Sequence, residues 1–144
     1  MKLRLIKPSE VDKVATLISR AFAVKRYKSK AQQEVAAMFL NKVVAPKYIV
    51  AEERGIILGV AGFSQSWMDY NIYEIFWVAV DKNFQERGIG SILVKELVKI
   101  IKKKKDVALI LLTTDKPHFY EKVSDFKIFM KLAEKDYYLM KLEI

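Results

Sequence analysis

The stretch Asn71-Ile72-Tyr73-Glu74-Ile75-Phe76-Trp77-Val78-Ala79-Val80, continued by Asp81 to Arg87 and then Gly88-Ile89-Gly90-Ser91, decides how the chain folds. From Ile72 to Val80 every residue but Glu74 is apolar, and β-branched and aromatic types dominate, which predicts a central strand buried on both faces. After the loop, apolar residues recur at 89, 92, 93, 97, 100 and 101, the spacing of a helix with one buried face. Strand, glycine-containing turn and helix aim backbone N–H groups and the positive end of a helix dipole at one spot. A phosphate can bind there without a metal.

Upstream, Leu3 to Ile6 predicts a short first strand. Ser9 with Asp12 reads as a capped helix start, with Val11, Val14, Ala15, Ile18 and Phe22 on its inner face. After the basic link Lys25 to Lys28, Ser29 and Gln32 repeat the signature. They open a second helix through Val35, Met38, Phe39 and Val43 that must end before Pro46. Tyr48 to Glu52 and Ile56 to about Ser64 predict a hairpin around Glu53-Arg54-Gly55, with Gly59 and Gly62 marking a bulge or close packing. Gln65 to Tyr70 leads into the central strand.

Downstream, Val107 to Thr113 predicts another strand buried on both faces, parallel to the central one because a helix separates them. Pro117 to Val123 reads as a short helix with Asp115 as its cap. Phe126 to Leu132 and Tyr138 to Ile144 alternate as an antiparallel hairpin about Ala133-Glu134-Lys135-Asp136. The order is β-α-α-β-β-β-α-β-α-β-β, with no internal repeat or linker, so residues 1–144 are expected to form a single domain.

Composition narrows the function. With 144 residues, 52% of them hydrophobic, the chain can bury a substantial core. The absence of cysteine excludes disulfides, thiolate metal sites and a cysteine nucleophile, and one histidine leaves only scattered carboxylates for a metal, so none is expected. No apolar run is long enough for a signal peptide core or a membrane span, which predicts a cytoplasmic protein without membrane contact. The net charge of +9 invites a nucleic-acid reading. Much of it sits at Lys95, Lys99 and Lys102 to Lys105, where cations complement a helix C-terminus, and no RNA- or DNA-binding motif accompanies it.

Gln85-Glu86-Arg87-Gly88-Ile89-Gly90 fits the pattern Gln/Arg-x-x-Gly-x-Gly/Ala and resembles the acyl-CoA pyrophosphate loop of the GNAT superfamily of N-acetyltransferases. The resemblance extends to the strand ending Val78-Ala79-Val80 and to Phe119-Tyr120-Glu121-Lys122, and the element order is the family's too. It implies an α/β (α+β) fold with a central mixed, mostly antiparallel twisted sheet of about seven strands and helices on both faces. It also implies acetyl-CoA as cosubstrate, an amine acceptor, and direct transfer without an acyl-enzyme. Val78, Ala79, Val80, Gln85, Glu86, Arg87, Gly88, Ile89, Gly90 and Ser91 would hold the cofactor, Val78 and Val80 by pairing with the pantetheine arm. A homodimer is left open.

Three positions depart from the family pattern: Lys82 replaces a frequent proline, Thr113-Thr114-Asp115-Lys116 lacks the usual Asn-x-x-Ala, and Val123-Ser124-Asp125-Phe126 stands for Leu-Gly-Phe. A side chain at 88 or 90 would stand between backbone amides and phosphate oxygens, and Gln85, Arg87 and Ser91 can add donors; the alternative is a strand-to-helix turn that needs glycine only for packing. Glu74, the ionisable residue inside the central strand, is the candidate base; the alternative is a solvated or ion-paired glutamate. Tyr120 is the candidate acid for the departing thiolate. His118, two residues from Tyr120, should project elsewhere and is read as a surface or structural histidine. Phe22, Tyr27, Phe39, Trp67 and Tyr70 suggest a partly apolar acceptor channel. The alternatives to an enzyme are an acyl-CoA-binding module of this fold and a nucleic-acid binder using the lysine face.

Overall fold

The computed structural model describes residues 1–40, 43–132 and 136–144. Strand β1 (Lys2–Leu5) leads through a 3₁₀ turn (Pro8–Glu10) into helix α1 (Val11–Ala21), and α2 (Tyr27–Ala36) ends in a second 3₁₀ turn (Ala37–Phe39). Then follow β2 (Lys47–Glu53), β3 (Ile56–Gln65), β4 (Ile72–Val80), α3 (Ile89–Lys102), β5 (Leu109–Thr114), α4 (Pro117–Ser124), β6 (Lys127–Lys131) and β7 (Tyr138–Glu143). The seven strands form one sheet in the order β1-β2-β3-β4-β5-β7-β6. The pairing of β4 with β5 is parallel, as the intervening helix requires, and the others are antiparallel.

Helices cover both faces. Leu93, Val94, Leu97 and Ile101 of α3 pack with Ala61, Phe63, Tyr73, Ile75 and Ile110 on one side. Val14, Ile18, Ala31 and Val35 of α1 and α2 pack with Tyr48, Val50, Val60 and Ala79 on the other. The β2–β3 hairpin turns on Arg54 (φ +51°) and Gly55 (φ +77°), the two left-handed residues of a type I′ turn. Gly62 is there for packing, since a Cβ would come within 2.5 Å of the Tyr48 ring and 2.8 Å of Phe76.

Several local expectations are corrected. Ser9 lies inside the 3₁₀ turn instead of capping α1; Glu10 stands at the N-cap position of α1 without a side-chain cap there, its carboxylate instead accepting the Lys7 amide at 2.8 Å across the 3₁₀ turn while Arg4 grips it at 2.7 and 2.8 Å. Ser29 lies within the first turn of α2, because the helix starts at Tyr27, whose ring packs against Phe22 and Trp77. The helical stretch stops at Phe39 because Leu40 is extended, so Val43 is outside it and exposed. Asp115 does not cap α4; the Thr114 hydroxyl accepts the Lys116 amide at 2.9 Å instead. Nor are β4 and β5 buried on both faces: Tyr73, Ile75 and Ala79 are buried, as are Ile110, Leu112 and Thr114, while Glu74 and the remaining residues are half-buried or exposed. Of the turn expected at 133–136, residues 133–135 lie outside the described residues.

Candidate active site

Strands β4 and β5 pair only at Ile72–Leu109, Tyr73–Ile110 and Glu74–Leu111. Beyond those three pairs β4 stays with β3 as far as Val80, and β5 stays with β7 as far as Thr114. The two strands therefore diverge into a wedge. Its walls carry main-chain donors and acceptors that lack a partner strand among the described residues, the kind of edge an extended ligand can pair with.

A bulge sits on the β4 wall. Phe76 pairs with Gly62 and Ala79 with Val60, so Trp77 and Val78 together face Ala61. Trp77 takes φ +49°, a left-handed value uncommon for a bulky residue. The extra residue shifts the alternation: Phe76 and Trp77 both turn toward α1 and α2, and Val78 and Val80 toward α3. By the same alternation Glu74 shares the face of Phe76. It is half-buried, and its carboxylate has no hydrogen bond or ion pair among the described residues.

At the wide end of the wedge the chain passes from β4 through a 3₁₀ turn (Lys82–Phe84), where the Asp81 carboxylate accepts the Asn83 amide at 2.9 Å. The Gln85 side chain donates to the Val80 carbonyl at 3.2 Å, occupying one of the groups expected to meet the cofactor arm. Glu86 (φ +64°) and Gly88 (φ +77°) are left-handed, and α3 starts at Ile89 with no side-chain cap among the described residues. The first amides of α3 are thus free to receive an anion. Within the protein itself the two glycines differ in what surrounds them. At Gly88 a Cβ would meet nothing, and glycine is needed for φ; at Gly90 a Cβ would touch the Phe119 ring at 3.3 Å, so glycine allows α3 to lie close to α4. Arg87 lies over the Phe84 ring at 5.7 Å and pairs with Glu53 at 3.6 Å. Ile89 is buried, Ser91 half-buried and Glu86 exposed.

On α4, Tyr120 is buried between Phe119 and Phe126, with ring centroids at 4.9 and 5.9 Å. Burial pushes its phenol well above the ordinary value of 10, and Tyr137 and Asp115 push the same way. The missing glycine in the Val123–Phe126 segment has a stand-in: Asp125 adopts φ +58° at the C-cap of α4, and Phe126 is buried. His118 points away, exposed and hydrogen-bonded through Nδ1 to Glu121 at 2.8 Å.

Of the aromatic residues expected to line a channel, Phe22 and Tyr27 meet Trp77 edge-to-face at 5.6 Å each. Phe39, Trp67 and Tyr70 are exposed, the last two around a surface recess of about 340 Å³ with Val43 and Met68. Sequence reading missed Glu34, whose carboxylate accepts the Trp77 Nε1–H at 2.6 Å. The signal available was the indole itself, whose N–H needs a partner when it leaves water. It also missed Tyr48, fully buried with its hydroxyl unpartnered among the described residues.

A sequence profile described as the acetyltransferase (GNAT) family matches residues 12–126. Similar solved structures include a GNAT-family protein from Desulfovibrio desulfuricans, with TM-score 0.82, 18% identity, and 99% of this chain and 98% of that one covered. An aminoglycoside 6′-N-acetyltransferase complexed with coenzyme A gives TM-score 0.80, 18% identity and coverage of 99% and 97%. Ribosomal-protein-alanine N-acetyltransferase from Brucella melitensis gives 0.76, 14%, and 100% of both chains. At these identities the likeness is one of fold. No protein of curated function matches the sequence.

Proposed function

The chain belongs to the acetyltransferase (GNAT) family, and from that premise we propose that it moves the acetyl group of acetyl-CoA directly onto a primary amine. The observation that carries the reading is the meeting of two features at one place: a wedge of unpaired main chain between β4 and β5, and the uncapped start of α3 where β4 leads. An extended pantetheine arm suits the first and a pyrophosphate suits the second. The space over Gly88 leaves those amides accessible.

Acetyl-CoA supplies an activated thioester; the chain supplies position and proton handling. The amides from Gly88 to Ser91 bind the pyrophosphate, with Gln85, Glu86 and Arg87 forming the loop that presents them. Val78, Ala79 and Val80 pair with the arm, and the Val78 N–H donates to the thioester carbonyl. Only about one amine in 2,500 is neutral at pH 7 for a pKa near 10.4, so a base has work to do, and Glu74 on the α1–α2 face takes the proton. Tyr120 keeps its own proton through the neutral range because burial raises its pKa. Its part is to donate a hydrogen bond to the departing sulfur, a weaker base than the phenolate.

Thermal-shift titration with acetyl-CoA, followed by free-thiol release over a panel of amines, tests the reading. Stabilisation together with thiol release is expected. Stabilisation without release from any amine would mean a binding module, and no response to acetyl-CoA would remove the proposal altogether.

A further inference from the structure

The bulge that presents the Val78 amide is not held from the β5 side, since that strand has already left β4 at Glu74. It is held from α2. Trp77, the bulged residue with φ +49°, hydrogen-bonds through Nε1 to the Glu34 carboxylate at 2.6 Å. Phe22 and Tyr27 set their ring edges against the indole at interplanar angles of 74° and 69°. A left-handed conformation at a bulky residue persists only where its surroundings over-determine it. Here the surroundings are one charge-assisted hydrogen bond and two rings, all from the α1–α2 side.

Resting on the acetyltransferase reading above, we infer that Glu34 is a positioning residue: by anchoring the Trp77 indole it fixes the β4 bulge, and so the direction in which the Val78 N–H meets the thioester carbonyl. The physical reason is register. A bulge shifts side-chain alternation by one, so if Trp77 relaxes into an ordinary extended conformation, Val78 no longer turns toward α3 and its amide turns with it. Glu34 touches neither acetyl-CoA nor amine in this scheme. It acts across a sequence separation of 43 by holding one indole.

The direct readout is the ¹³C shift of the carbonyl in [1-¹³C]acetyl-CoA bound without acceptor, measured for the wild type, Glu34→Ala, Glu34→Gln and Trp77→Phe. The wild-type signal should lie downfield of free acetyl-CoA, and Glu34→Ala and Trp77→Phe should both move it back toward the free value. Their kcat should fall by about tenfold or more with the acetyl-CoA KM changed less than about threefold. Glu34→Gln keeps an acceptor oxygen and should recover most of both losses. The inference is overturned if Glu34→Ala keeps the wild-type shift and kcat, or if it lowers only thermal stability. If acetyl-CoA fails to bind the wild type, the family reading of the site fails instead; if it binds with no downfield shift, the polarising role of Val78 fails, and this inference with it.

Discussion

Tyr48 has a relative exposure of 0% and a phenolic oxygen with no hydrogen-bond partner among the described residues. Burial, and secondly the charge of Glu34, pushes its pKa well above 10, so the group stays neutral. An unpaired buried hydroxyl is destabilising, and Tyr48→Phe should raise stability by about 1 kcal/mol, or about 3 °C in Tm by calorimetry. A loss of stability would show that the hydroxyl has a partner. Tyr120→Phe should leave acetyl-CoA binding intact and lower kcat by about 10²- to 10⁴-fold if the phenol assists the leaving thiolate; unchanged turnover would remove that role. Residues of this kind were unevenly legible. Gly88, Gly90 and Tyr120 stand out in sequence because motif spacing exposes them. The Trp77–Glu34 bond does not, because no periodicity relates a strand residue to a helix residue that only the finished fold brings near it. Asp125 was legible as a lost glycine but not as its substitute, since only the backbone shows the left-handed φ that aspartate tolerates.

Among the elements, glycines at different sites predict different failures. Gly62→Ala forces a methyl against the Tyr48 and Phe76 rings and should destabilise the β2–β3–β4 region by about 1–3 kcal/mol in urea unfolding. Gly88→Ala meets no atom but strains φ, so its expected effect is about 1 kcal/mol on stability together with weaker acetyl-CoA binding by calorimetric titration. The reverse ranking of stabilities would contradict the packing account. A second element-scale effect is acid sensitivity. Arg4 joins β1 to the 3₁₀ turn and to β2, hydrogen-bonding Glu10 and Glu52, and holds Glu10 down from an ordinary 4.5 to about 2. A depressed carboxylate contributes stability above its unfolded pKa and loses it on protonation. That contribution is full above about pH 4.5 and fades toward pH 2, and Glu10→Gln should flatten stability against pH in that window. Strand positions were readable from apolar runs to within a residue or two. The starts of α3 and α4 were equally readable, at the glycine turn and at Pro117, but those of α1 and α2 were not, because the Arg4–Glu10 pair and the Tyr27–Trp77 contact overrode the serine caps.

Across the whole molecule, the sheet consists of a four-stranded part, β1 to β4, and a three-stranded part, β5 to β7, joined by three residue pairs. That architecture was legible as an order of elements, while the short join was not, since apolar runs do not reveal where two strands part. A bound arm in the wedge would give Ile75–Val80 a second partner opposite β3. At a ligand concentration of about 100 Kd it should add about 2.7 kcal/mol of stability. Amide exchange should slow at Ile75–Val80 and Leu112–Thr114 more than in α1; uniform slowing would argue against binding in the wedge. The three-pair join also has the geometry of a fulcrum. The six residues of β4 beyond Glu74, at about 3.3 Å each, make a lever arm of about 20 Å, so a rotation of about 5° at the fulcrum swings the far end by about 1.7 Å. Displacements of that size are enough to spoil the alignment of reacting atoms. Side chains of the join beside that pivot, Tyr73 and Ile110, would then govern how precisely a site at the other end of the strand is aimed, without touching anything in it.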